Sequence, residues 1–299
     1  MKVNLVIATY AGKYFKYLNN SDKDNYLKLN LLILNQIKTD VSQITIMKPK
    51  ILDGHIPIDN YYNFDNIDIN NIRDKIKIHE CDNIGISYGQ FFNAIKQYPD
   101  FDYYIFTEDD YVPFVDYFEE KIIDEYNKGN SNTYMCSYYN KSLGWNINLL
   151  KDHKGLLEKF NNTDINCIIP DFSLGVLSKY CVDKIIDKFG SLNNVLDILD
   201  ISVNLKCMWH YQILFGFIIN YAGIDVNDTS VKYQNMFFES SRKEIQILNN
   251  SNNNLELPLF VPIDIFYYNY SFDTLTIGLK DQEEFILKFN LYMEYKKYI

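Results

Sequence analysis

Residues Tyr103-Tyr104-Ile105-Phe106-Thr107-Glu108-Asp109-Asp110 place three consecutive carboxylates directly behind a strand-like apolar run. Like charges that close together repel unless something positive sits among them. An oxygen-preferring divalent cation, Mg²⁺ or Mn²⁺, meets that need, because it takes one or two carboxylates and shares its other positions with water and phosphate oxygens. The other reading of such a triplet is a solvated acidic turn, and the structural context separates the two. Tyr111-Val112-Pro113 follows and interrupts strand pairing. In an open α/β sheet ligands bind outside the carboxyl ends of the strands. The elements that matter are therefore this strand, its neighbours and the turns that leave them.

Composition narrows the setting. The chain has 299 residues, 47% of them hydrophobic, which is ample for a core in one large α/β domain or two small ones. Tyr (26) and Phe (20) are abundant alongside Asn, Ile and Lys, a pattern that AT-rich codons also produce. A net charge of −10 argues against a general nucleic-acid or anionic-membrane surface, so no nucleic-acid partner is expected. Cys81, Cys136, Cys167, Cys181 and Cys207 are scattered, odd in number and never CxxC, which predicts reduced, mostly buried thiols and a cytoplasmic protein. Four histidines in unrelated contexts disfavour zinc. No apolar run reaches the length of a membrane span, and residues 1–10 read as a first strand, being too short and too alternating for a signal peptide.

Hydrophobic periodicity supplies the scaffold. Strands are predicted at 3–8, 43–47, 75–79, 103–107 and 133–138, and helices at 25–37, 87–97 and 114–126, the second of these capped by Ser87. Residues 50–75 are Asp/Asn-rich and read as a long surface excursion. Further on, strands are predicted at 166–169, 172–177 and 259–268, and helices at 179–189, 208–221 and 281–297. Alternating strand and helix implies an α/β, mostly parallel central sheet flanked by helices. The chain reads as a single composite domain, 1–299, with halves at 1–140 and 141–299.

Three features of the first half stand together. A first strand ends in Thr9-Tyr10, the segment Asn83-Ile84-Gly85-Ile86-Ser87-Tyr88-Gly89-Gln90-Phe91-Phe92-Asn93 opens a helix, and the acidic strand follows. This resembles the nucleotide-sugar half of glycosyltransferases of the GT-A fold, the family-2-like ones in particular. The resemblance covers roughly residues 1–140 well and 165–225 loosely. It implies a GT-A-like, Rossmann-like sheet with a fused acceptor-binding half, and Mn²⁺ or Mg²⁺ as cofactor. It also implies a nucleotide-sugar donor, UDP- or GDP-linked, and a carbohydrate or other hydroxyl acceptor. By that resemblance Asp110 is the metal ligand, and Glu108 or Asp109 holds the ribose or a metal-bound water. Thr9, Tyr10, Gly85, Tyr88 and Asn93 line the nucleotide. The chain departs from the pattern at Glu108, where the family has Asp, and at Lys48-Pro49, where a base-reading Asp is usual.

The second half is expected to bind the acceptor. The segment from Asp171 to Ser178 resembles the one that lines the donor sugar, and Trp209-His210-Tyr211 enters the helix whose start carries the catalytic Asp of inverting members. There His210 is the candidate general base, with Asp171 as runner-up and Asp200 next; histidine titrates close to neutral pH. A structural histidine is the competing reading. Trp145 and Trp209 offer faces for a sugar, and Arg242-Lys243 a charge pair for a diphosphate. Three rivals remain at this point: a nucleotidyltransferase, which needs more than Gly12, Lys13 and Lys16 after the first strand; a nucleotide-sugar hydrolase; and a degenerate carbohydrate-binding protein.

Overall fold

A computed structural model describes residues 1–14, 25–136, 139–140, 169–170, 174–200, 209–228, 239–241, 244–246, 259–263 and 282–295. Among them, seven strands form the central sheet: β1 Val3–Ala8, β2 Gln43–Pro49, β3 Ile76–Cys81, β4 Tyr103–Glu108, β5 Thr133–Cys136, β6 Leu174–Ser178 and β7 Asp225–Asp228. Their order across the sheet is β7-β5-β6-β4-β1-β2-β3. β3, β2, β1 and β4 run parallel, β7 runs parallel to β5, and β6 lies antiparallel between β4 and β5. The chain is thus α/β with a mostly parallel, Rossmann-like sheet.

Alternation along the strands builds two cores. Leu5, Ile7, Ile44, Ile46 and Ile105 face helices α1 (Tyr26–Leu34) and α3 (Phe118–Lys128). The opposite face presents Val6, Met47, Tyr104 and Phe106 to α2 (Ile86–Gln97), α4 (Lys179–Phe189), α5 (Leu192–Leu199) and α6 (Trp209–Tyr221). Phe91 of α2 stacks on Phe106 with ring centroids 4.6 Å apart, which seats α2 on the acidic strand. A last helix, α7 (Gln282–Tyr295), joins the first core through Phe289 and Tyr292.

Several expected boundaries move. Tyr111-Val112-Pro113, expected to break strand pairing, itself pairs with Phe260–Pro262, and the helix expected at 114–126 begins only at Phe118. Residues 50–75 are not a loose surface excursion, because Tyr61, Phe64, Ile67, Ile69 and Ile72 are buried in the first core. Their irregular spacing follows neither the helix nor the strand period, which hides them from pattern reading. Ser87 does not cap α2, since Gly85 occupies the cap position in the left-handed region (φ 66°). Helix α5 was not anticipated. Cys81, Cys136 and Cys181 are buried free thiols, as expected; Cys167 and Cys207 lie outside the described residues. No helix among the described residues is long and apolar enough to cross a membrane.

Gly89 sets how closely α2 approaches the turn that feeds it. A Cβ there would lie 1.7 Å from the carbonyl oxygen of Ile84, and backbone cannot move aside as a side-chain tip can. Gly89→Ala is expected to cost about 3 kcal/mol or more, read as a fall in the urea midpoint. Gly54 has open space where a Cβ would go, and its φ of 80° is the only objection. Gly54→Ala should cost only about 1 kcal/mol in the same assay.

Glu119, in the first turn of α3, is 1% exposed and accepts a hydrogen bond from the backbone N–H of Asp40. Burial raises its pKa, outweighing the hydrogen bonds that favour the anion. The folded protein therefore binds this proton more tightly than the unfolded chain does. That contribution is fully present below the ordinary glutamate value and is lost as pH rises through the raised one. Glu119→Gln keeps an acceptor and cannot ionise. It is expected to be more stable than the parent near pH 7, with the advantage gone at about pH 4, in urea titrations at the two pH values.

Candidate functional site

The site is built where the strand order reverses. β2 and β3 lie to one side of β1, while β4 and the later strands lie to the other. The carboxyl ends of β1 and β4 meet there, with Ala8 opposite Glu108, and an open sheet binds its ligands at this switch point. The acidic triplet occupies that position.

Each carboxylate residue is held by a different part of the chain. Glu108 accepts a 2.5 Å hydrogen bond from Ser87 Oγ in the first turn of α2. Asp109 accepts one at Oδ2 from the Tyr61 hydroxyl. The Asp109 N–H donates to the carbonyl of Ala8 (2.9 Å), and the carbonyl of Asp110 accepts from Ile263 N–H (2.7 Å). Asn30, fully buried on α1, donates through Nδ2 to the carbonyls of Asp109 (3.3 Å) and Tyr111 (2.7 Å). All three acidic residues are half-buried. Burial, then the charges of Asp109 and Asp110, push the Tyr61 phenol well above its ordinary range, so it remains a neutral donor.

The exit of β1 is equally tied. Thr9 is 3% exposed; its N–H donates to Gln90 Oε1 (2.9 Å) and its carbonyl accepts from Gln90 Nε2 (3.0 Å). The Thr9 hydroxyl donates to the carbonyl of Met47 (2.6 Å) and so accepts from Tyr62 (2.6 Å). Tyr10 is half-buried, with its hydroxyl 2.6 Å from His55 Nδ1 and accepting from Leu52 N–H. His55 lies on the short strand His55–Pro57, which pairs with Gly12–Tyr14 beside the β1 exit.

The turn into α2 carries the strain of the site. Gly85 and Ile86 both have positive φ, 66° and 50°. For a β-branched residue this costs on the order of 1–2 kcal/mol, and such strain concentrates at functional positions. Gly85 itself is packed shut: a Cβ would lie 2.8 Å from Cβ of Leu199. The close approach that glycine permits at 85 and 89 is therefore used inside the protein, against Leu199 and the Ile84 carbonyl. That contact also brings Asp200, the residue after α5, beside the α2 turn. The charge of Asp200 adds to burial in raising the Tyr211 phenol near the start of α6.

The expected site residues thus divide. Glu108, Asp109, Asp110, Thr9 and Tyr10 are brought together at the strand ends. Tyr88 is fully buried and stacks on Phe215 at 4.4 Å in the second core, so it cannot line a nucleotide. Asn93 sits two turns along α2 and donates to the carbonyl of Gly89 (2.9 Å), away from the strand ends. Asp171, Trp145 and Arg242-Lys243 lie outside the described residues, as do the side chains of Trp209 and His210. The start of α6 is placed, however. The helix leads into β7, which pairs parallel with β5, and Tyr211 near its start lies within reach of the Asp200 charge. Sequence reading missed Ser87 as a carboxylate partner, along with Asn30, Tyr61, Tyr62 and Gln90. Asn30 left a signal, being the uncharged polar residue in a run, Tyr26–Leu34, that is apolar apart from it and Lys28. Tyr61-Tyr62 left a fainter one, an aromatic doublet in a polar stretch.

Among the described residues no three His, Cys, Asp or Glu side chains converge on one point. A Mg²⁺ or Mn²⁺ ion bound together with phosphates asks for less: one or two carboxylates, with water and substrate filling the remainder. Glu108 and Asp109 are already oriented by neutral hydroxyls and Asp110 stands next to them, so the donor set fits that smaller demand.

No protein-family model matches the chain, and no curated protein matches its sequence. Solved structures that resemble it include the galactosyltransferase LgtC in complex with donor and acceptor sugar analogues, at 10% identity and a TM-score of 0.42 over 100% of both chains. The glycosyltransferase GlyE of Streptococcus pneumoniae TIGR4 is similar at 10% identity and a TM-score of 0.44, covering 99% of this chain and 64% of that one. HddC from Yersinia pseudotuberculosis is similar at 15% identity and a TM-score of 0.36, over 61% and 79%. Likeness at these scores is loose, and the assignment of architecture rests on the strand order and directions given above.

Proposed function

We propose that the chain is a metal-dependent glycosyltransferase that moves a sugar from a nucleotide-sugar donor to a hydroxyl acceptor, with inversion. The observation that carries the reading is the position of Glu108-Asp109-Asp110 at the carboxyl end of β4, at the sheet's switch point beside β1. An acidic cluster there suits a cation–diphosphate pair, whereas an acidic protein with no such cation would repel the phosphates. Bound at Asp110, with Glu108 or Asp109 holding the ribose or a metal-bound water, Mn²⁺ or Mg²⁺ would stabilise negative charge developing on the leaving diphosphate. Tyr10 and His55 offer aromatic surface at the exit of β1 for the nucleoside.

The acceptor side is assigned to the second half. His210 at the start of α6 takes the proton of the acceptor hydroxyl in this reading, with Asp171 and Asp200 as the other carriers of that role. Asp200 has support from its place beside the α2 turn and the start of α6. A positioned hydroxyl gains an orientation advantage that bulk water lacks, so transfer outruns hydrolysis.

Nucleoside diphosphate release from UDP- and GDP-sugars, with Mn²⁺ and with or without a broad glycan pool, tests the activity. Release is expected to be slow in water and to accelerate with the right acceptor. Full turnover without acceptor would instead identify a hydrolase, and saturable binding without release a binding protein. Asp110→Ala should abolish Mn²⁺-dependent donor binding while its urea midpoint stays close to the parent's, since the residue stands at the mouth of the sheet. Normal donor binding by that variant would sink the metal assignment.

A second measurement concerns the base. His210→Ala is expected to slow transfer by roughly a hundred- to ten-thousand-fold with little change in donor affinity. If turnover is unchanged, the role passes to Asp171 or Asp200, and the same assay on their alanine variants decides between them.

A further inference from the structure

Asp109 is tied at every polar group of its residue. Its N–H donates to the carbonyl of Ala8, which locks the turn to the end of β1. Its carbonyl accepts from Asn30 Nδ2, and the same amide group reaches the carbonyl of Tyr111, so one side chain spans the turn. Its carboxylate accepts from Tyr61. The two residues doing the holding are themselves fixed: Asn30 is 0% and Tyr61 3% exposed. Tyr61 arrives from the 50–75 segment, whose Phe64, Ile67, Ile69 and Ile72 are buried in the same core as α1. A hydroxyl delivered from a packed segment and a buried amide on a helix meet one residue from opposite directions.

We propose that Asp109 is the anchor of the acidic turn and that Tyr61 and Asn30 are positioning residues, which act through Asp109 to fix the neighbouring Asp110 toward the ligand. A neutral phenol donating to a carboxylate orients it without cancelling its charge, and a hydrogen bond to a charged acceptor is stronger than one between neutral groups. The inner carboxylate then serves as a fixed post, and its charge still adds to the field at the mouth. The 50–75 segment gains a role as well: its packing transmits order to the site through one hydroxyl.

Amide hydrogen exchange on the protein without ligand tests the anchor independently of the transferase reading. Tyr61→Phe keeps the ring and removes the hydroxyl. It should speed exchange at residues 109–111 by about tenfold, what losing one hydrogen bond to a carboxylate is worth, with strand β2 unaffected. Unchanged exchange there overturns the proposal, whatever the donor assays give. The second arm, which rests on the transferase reading, measures donor binding against Mn²⁺ concentration. Tyr61→Phe and Asp109→Ala should each raise the Mn²⁺ needed for half-maximal binding by about tenfold, and the double variant should be no worse than the worse single. Asp109→Asn, which still accepts from Tyr61, should recover most of what Asp109→Ala loses. An Asn variant as weak as the Ala variant, with Tyr61→Phe normal, would mean that Asp109 holds the ligand itself and would overturn the assignment. Faster exchange in Tyr61→Phe together with a parent protein that binds no nucleotide sugar would uphold the anchor and remove the transferase.

Discussion

Three carboxylates in sequence at the end of a buried strand can coexist only if their charges are kept apart and each is held in place. In this chain the separation is made by geometry. Glu108 completes β4 and turns toward α2, where Ser87 meets it; Asp109 turns toward the first core, where Tyr61 meets it. Asp110 follows with its carbonyl bonded to Ile263. Alternation along the strand sends successive side chains to opposite faces, so neighbouring charges begin on different sides of the sheet. Helix α2, the 50–75 segment and the strand at Phe260–Pro262 are all placed where they can supply these partners.

The same economy governs the exit of β1. A strand that ends inside the protein leaves backbone groups that must be satisfied. Gln90 satisfies both the N–H and the carbonyl of Thr9, and the Thr9 hydroxyl bonds to the carbonyl of Met47 on β2. These bonds fix where β1 stops relative to α2 and β2, at the switch point of the sheet. Thr9 and Asp109 are thereby both bonded into the frame of the mouth, with Tyr10, Glu108 and Asp110 around them.

Strain gathers at the junction that must be tight. Gly85 and Ile86 hold left-handed conformations so that α2 can start close under the acidic strand, and Gly89 lets its backbone sit on the carbonyl of Ile84. The cost is met by aromatic packing along α2, where Phe91 stacks on Phe106 and Tyr88 on Phe215. Tyr88 is better understood as part of that packing than as a nucleotide contact.

Much of the scaffold was legible in the sequence because it depends on short-range pattern. The apolar runs of β1, β2 and β4, the period of α2 and α4, and the carboxylates at the end of β4 are local facts of residue order. They imply a mostly parallel sheet with an acidic mouth. What the sequence by itself could not determine is which side chains meet there. Tyr61 lies 48 positions from Asp109 in the chain, Asn30 79 positions from it, and Gln90 81 from Thr9. No local period encodes such pairings; they exist only once α1, the 50–75 segment and α2 are packed on their faces of the sheet. For the same reason a fully buried tyrosine and a half-buried one at a strand exit, Tyr88 and Tyr10, look alike in the sequence. Residue order settled the types of group available at the mouth, and tertiary packing decided how far each is buried and what it bonds to, because burial and partner geometry are properties of the assembled layers alone.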